Sequence, residues 1–120
     1  MKLKIGTRGS KLALAYANEA CKQLSCETEI EIIQTDGDLN PDTPIYEIGG
    51  KGVFCSALEY ALSEGLIDVA VHSLKDMPGE ENPNLVISAM LKRNSPHDVL
   101  VGSVGYGCTI GTSSPRRTAQ

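Results

Sequence analysis

The strongest constraint on the fold is an alternation of period along the chain. Leu3–Thr7 reads as a short strand, and Ser10 as the N-cap of a helix to about Leu24, with Leu14, Ala17, Cys21 and Leu24 spaced by 3, 4 and 3. Glu29–Thr35 alternates early, as a strand does, and a polar, proline-containing loop follows from Asp36 to Glu47. Gly49-Gly50-Lys51-Gly52 opens a second helix in which Phe54, Ala57, Leu58, Ala61 and Leu62 share a face, with Gly65 as its stop. Ile67–Val71 reads as a third strand, Leu85–Met90 as a fourth and Asp98–Val101 as a fifth. A β-α-β-α-β order with short connections predicts an α/β domain with a mainly parallel mixed sheet covered by helices.

The C-terminal stretch reads as a new beginning. Thr109-Ile110-Gly111 is strand-like, and Thr112-Ser113-Ser114 caps a helix with Pro115 at its first position. With Gly102–Gly107 as a hinge, residues 1–103 are expected to form a first α/β domain, and 104–120 the hinge and opening of a truncated second one.

Composition narrows the function classes. The 120 residues are 41% hydrophobic and 22% charged, with a formal net charge of -4. That balance fits a globular domain and argues against nucleic acid as a partner. No apolar run approaches the ~20 residues of a membrane span, and no signal-peptide stretch follows Met1. The expectation is a cytoplasmic protein, with no membrane partner. Cys21, Cys26, Cys55 and Cys108 lack Cys-x-x-Cys spacing and paired histidines, so no metal site is expected and the thiols read as reduced.

The chemistry concentrates at residues 70–78, Ala-Val-His-Ser-Leu-Lys-Asp-Met-Pro. An apolar strand runs into His72, Ser73, Lys75 and Asp76, and Pro78 blocks regular continuation. An adjacent cation and carboxylate suit a ligand carrying both signs. Three further segments bring basic side chains to helix starts: Thr7-Arg8-Gly9-Ser10, Gly49–Gly52, and Thr112–Arg117. Arg8, Lys51, Lys75, Arg116 and Arg117 are five of the chain's eleven basic residues. Their placement at strand ends and helix starts suits carboxylate or phosphate and points to a ligand with several negative charges. Gly49–Gly52 is not a P-loop, because Gly52 stands where Ser or Thr should follow the lysine. His72, Ser73 and Asp76 make a poor triad, since neighbours in an extended segment face opposite ways.

Five segments in order resemble the porphobilinogen deaminase (hydroxymethylbilane synthase) family: Ile5-Gly6-Thr7-Arg8-Gly9-Ser10-x-Leu12-Ala13-Leu14, Thr35-x-Gly37-Asp38, Gly49-Gly50-Lys51-Gly52-x-Phe54, Ala70-Val71-His72-Ser73-x-Lys75-Asp76-x-Pro78, and Gly111-Thr112-Ser113-Ser114-x-Arg116-Arg117. The resemblance implies a fold similar to type II periplasmic binding proteins. It also implies a three-domain enzyme that joins four porphobilinogen molecules head to tail, with release of ammonia, to give hydroxymethylbilane for haem biosynthesis. In the family the chain grows on a dipyrromethane cofactor held by a third-domain cysteine, and none of the four cysteines here falls in that motif. On this resemblance Asp76 is the catalytic carboxylate. Ser73, Lys75, Asp76, Thr112, Ser114, Arg116 and Arg117 would hold the cofactor. Arg8, Ser10, Lys51 and Phe54 would line the substrate side. Such a chain alone is expected to be inactive, and the full-length protein a monomer. Lys11, Tyr16 and Glu47 depart from the residues usual in the family. The competing expectation is a non-enzymatic anion-binding domain of the same fold.

Overall fold

The computed structural model describes residues 1–39, 52, 54–80 and 82–119. Its centre is β1 (Lys2–Thr7), the middle strand of a sheet ordered β2-β1-β3, with β2 at Glu27–Ile32 and β3 at Val69–Ala70. All three described strands run parallel. Lys2 to Thr7 pair in register with Glu27 to Ile32, and Ile5 and Gly6 face Val69 and Ala70. The third strand is shorter than its apolar run, but hydrogen bonds flank it: Asp68 N–H donates to Lys4 C=O and Val71 N–H to Gly6 C=O, both at 2.9 Å.

Helix α1 (Lys11–Gln23) starts where Ser10 predicts, with the Ser10 hydroxyl accepting from Ala13 N–H at 3.2 Å. Ala17 is its buried residue. Helix α3 (Ser56–Ser63) buries Leu58 and Ala61 against Ile67, with Ile33, Leu62 and Ala70 packed around them. Leu58, Ala61 and Leu62 belong to the face read from the sequence, but the helix starts later than expected, at Ser56, so Phe54 precedes it. Gly65 follows the helix in a left-handed conformation (φ 66°) that suits glycine. Gly6 lets the helix layer approach the sheet: a Cβ there would overlap Ile67 Cδ1 and press on Leu58. Ile5, Cys55 and Leu58 are fully buried, as are Thr7 and Thr35.

Four elements differ from the sequence reading. Asp36–Leu39 is a short helix, α2, where a loop was expected; Asp38 and Leu39 N–H both donate to Thr35 C=O. Leu85–Met90, Asp98–Val101 and Thr109–Gly111 form no strands. An apolar, β-branched run becomes a strand only when a neighbour offers its edge. Here Val86, Val99, Val101 and Ile110 are exposed instead. The four-residue helix α4 (Pro115–Thr118) does form, with Ser114 Oγ accepting from Arg117 N–H and Pro115 in the first turn.

Candidate functional site

The strand order decides where the functional side chains meet. From β1 the chain moves to one side for β2, then crosses back to the other side for β3. In open parallel sheets a crevice forms at the carboxyl ends of the strands where the order reverses, here between β1 and β3. Arg8 follows β1, and the Ser73–Asp76 turn follows β3. The crevice therefore brings together residues far apart in sequence: Arg8 Nη1 lies 3.6 Å from Asp76 Oδ2, and both side chains are about four-fifths buried (18% and 20% exposed).

Arg8 is held on several sides. Its Nε lies 3.1 and 3.2 Å from the two Asp38 carboxylate oxygens, and its Nη2 is 2.5 Å from Oδ1. The Phe54 ring lies beneath the guanidinium, 3.9 Å from its carbon to the ring centroid. Asp38 also accepts from Thr35 N–H at 3.2 Å and Thr35 Oγ1 at 2.8 Å. Burial works against the Asp38 charge, but the hydrogen bonds from Arg8 and Thr35 outweigh it and hold the carboxyl below its ordinary 3.8.

The turn carrying Asp76 is a single 3₁₀ turn, Leu74–Asp76, closed by Asp76 N–H donating to Ser73 C=O at 2.9 Å. Beneath it sits the Cys55 thiol, which donates to Asp76 C=O at 3.0 Å and lies 3.7 Å from His72 Nδ1. Burial, then Glu59 and Asp76, push that thiol up to about 11, against an opposing Arg8. It therefore stays protonated at neutral pH, a donor rather than a nucleophile. Burial lowers the His72 pKa from 6.5, partly offset by Glu59 and Asp76, so the imidazole is neutral at pH 7. Lys75 is exposed and makes no ion pair among the described residues.

Other residues singled out from the sequence are placed as follows. Arg116 reaches the turn, its Nη1 3.5 Å from Lys75 C=O. Arg117 instead forks onto Asp98 at 2.7 and 2.9 Å, in solvent. The Ser10 hydroxyl caps α1, Thr112 Oγ1 accepts from Ser114 N–H, and Ser73 precedes the Asp76 turn. Lys51 and Glu47 lie outside the described residues. Asp38 and Cys55 were given no role at the site from sequence. For Asp38 a signal existed: a carboxylate in the Thr35-x-Gly37-Asp38 segment, with no basic neighbour to pair it locally. For Cys55 nothing in the pattern separates it from an ordinary small core residue.

The arrangement can bind a polyanion that also carries N–H donors. Asp76 is an acceptor for N–H groups, with Arg8, Lys75 and Arg116 beside it as partners for carboxylates. Among the described residues no group of His, Cys, Asp and Glu could hold a metal ion, and no helix is long and apolar enough to cross a membrane.

Residues 3–120 match the family described as "Porphobilinogen deaminase, dipyromethane cofactor binding domain". A probable porphobilinogen deaminase of Archaeoglobus fulgidus is 48% identical over 100% of this chain and 45% of its own length. One from Pyrobaculum islandicum is 43% identical over 98% of this chain and 43% of its own. A porphobilinogen deaminase of Acidothermus cellulolyticus is 44% identical over 98% and 39% respectively. The chain thus spans less than half the length of these curated relatives. The alternative of a non-enzymatic binding domain finds no support among them.

Proposed function

The chain belongs to the porphobilinogen deaminase family, and from that premise we propose that it supplies the cofactor-binding and catalytic part of an enzyme condensing four porphobilinogen molecules, with loss of ammonia, to hydroxymethylbilane. The observation that carries the reading is the largely buried Asp76 carboxylate facing Arg8 across the β1–β3 crevice, with Lys75 and Arg116 alongside.

Porphobilinogen presents an acetate, a propionate and an aminomethyl group on a pyrrole. As ammonia leaves and the next pyrrole attacks, positive charge develops on ring nitrogen. A fixed carboxylate stabilises that charge more in the transition state than in the ground state, which lowers the barrier. Asp76 takes this role, held by the Leu74–Asp76 turn and the Cys55 thiol under its carbonyl. Arg8, Ser10 and Phe54 are read as the substrate side, with Arg8 as the cation for a substrate carboxylate, and Lys51 is assigned to it by its sequence motif alone.

The donor set also fits a dipyrromethane, whose acid side chains need cations and whose pyrrole N–H groups need an acceptor. When bound, that group supplies the pyrrole terminus from which the product is built. Ser73, Lys75, Thr112, Ser114, Arg116 and Arg117 would hold its carboxylates, and Asp76 its N–H groups. For Arg117 this means leaving Asp98, an exchange made easy by the exposure of that pair.

The same reading takes 1–103 as a first domain with a fold like the type II periplasmic binding proteins, and 104–120 as the hinge and opening of a second. The left-handed Gly102 (φ 118°) and Gly107 (φ 75°) support the hinge. A cytoplasmic location and a monomeric full-length protein belong to the same reading. The test uses full-length protein carrying this sequence. It should colour with Ehrlich's reagent before any substrate is added, and release ammonia from porphobilinogen as hydroxymethylbilane forms. A protein that binds porphobilinogen without either response overturns the proposal.

A further inference from the structure

We propose that Asp38 is the positioning residue for Arg8, and that Thr35-x-Gly37-Asp38 is the holder that aims this guanidinium into the β1–β3 crevice. The inference rests on the reading of Arg8 as a carboxylate-binding residue.

Asp38 occupies the Nε and Nη2 edge of Arg8, and Phe54 covers one face. Nη1 is left on the side of Asp76, 3.6 Å from Oδ2 and beyond ordinary hydrogen-bond reach. Each residue of the holder has a physical task. Thr35, fully buried, donates to Asp38 through both its N–H and its hydroxyl, while its carbonyl accepts from Asp38 N–H. Gly37 leaves room for the Phe54 ring, which a Cβ at that position would overlap. Asp38 then fixes a long side chain that would otherwise lose its rotamer freedom only on binding ligand, so its ordering is done beforehand. The same grip keeps Arg8 from closing on Asp76 and occupying the carboxylate needed for pyrrole N–H groups.

A double-mutant cycle in full-length protein separates this role from a purely structural one. Asp38→Asn keeps an acceptor for Thr35 and removes the charge that forks Arg8. Porphobilinogen kcat/KM should fall about tenfold, mainly through KM, when Arg8 is present. In an Arg8→Ala background the same substitution should cost less than about twofold, because nothing remains to be aimed. Asp38→Glu, which keeps the charge one methylene away, should recover part of the loss, and it is read in the same cycle if the Asn variant does not fold. Equal losses in the two backgrounds overturn the proposal. Unaltered activity of Arg8→Ala overturns it differently, by removing Arg8 from the site. Absence of turnover in the unsubstituted protein would instead sink the proposed function.

Discussion

Arg8 and Arg117 each fork onto an aspartate, Arg8 onto Asp38 through Nε at 3.1 Å and Nη2 at 2.5 Å, Arg117 onto Asp98 at 2.9 and 2.7 Å. The distances are alike and the settings are not. The Arg8 pair is 18% and 23% exposed, the Arg117 pair 58% and 60%. Around the first stand Thr35, Phe54 and a second carboxylate, Asp76; both side chains of the second are open to solvent. An exposed pair is screened by salt and pays side-chain entropy for its geometry, whereas a largely buried pair tied to packed elements keeps its direction. The lesson is that pairing alone does not make an arginine part of a site. The packing that fixes its partner does.

The same contrast runs between the segments that carry the two pairs, and substitutions can break or sharpen it. The largest effect is expected from Gly6→Ala. The new methyl would overlap buried Ile67 and crowd Leu58, an overpacking that costs about 1–3 kcal/mol. Gly105→Ala meets nothing within 4 Å and should change stability by less than about 0.5 kcal/mol. Denaturant titration of the two variants checks this, and equal losses would erase the contrast.

A smaller effect concerns pH. The folded Asp38 carboxyl titrates below 3.8 because its hydrogen bonds from Arg8 and Thr35 outweigh its burial. A group with a depressed folded pKa adds stability above its unfolded pKa and loses it as pH falls through the folded value. The melting-temperature gap between wild type and Asp38→Asn should therefore be full at about pH 6 and shrink below about pH 4. A gap unchanged down to about pH 3 would mean that the charge on Asp38 contributes nothing. The smallest effect is expected at the exposed pair: Asp98→Asn should leave the melting temperature unchanged at any salt concentration. A clear drop at low salt would show that the outer pair, too, is built into the structure.

How much of this was legible in the sequence follows the same division. Ser10 and Ser114 announced their helices because capping is local chemistry, settled within a few residues. The α3 face was legible because Leu58 and Ala61 sit at helical spacing and meet a core. The turn at Asp76 was legible from a strand running into polar residues before Pro78. Leu85–Met90 and Asp98–Val101 misled because strand propensity is realised only through a neighbouring strand, which a period-two pattern does not report. Asp36–Leu39 misled in the opposite sense: Asp-Gly-Asp reads as loop, yet two N–H groups converging on Thr35 C=O close a helical turn. The Arg8–Asp38 pair joins residues thirty apart, and only the β2-β1-β3 order brings them together.

The most direct test of the account is the turnover of full-length protein with Asp76→Asn beside Asp76→Glu, each checked for folding by thermal melts. If the carboxylate charge stabilises developing positive charge on pyrrole nitrogen, Asn keeps shape and an acceptor but should lose about 10²–10³ in rate. Glu, charged but displaced by one methylene, should retain part of the activity. If Asp76 only shapes the turn before Pro78, Asn should serve nearly as well, and near-normal turnover of Asp76→Asn would contradict the catalytic assignment.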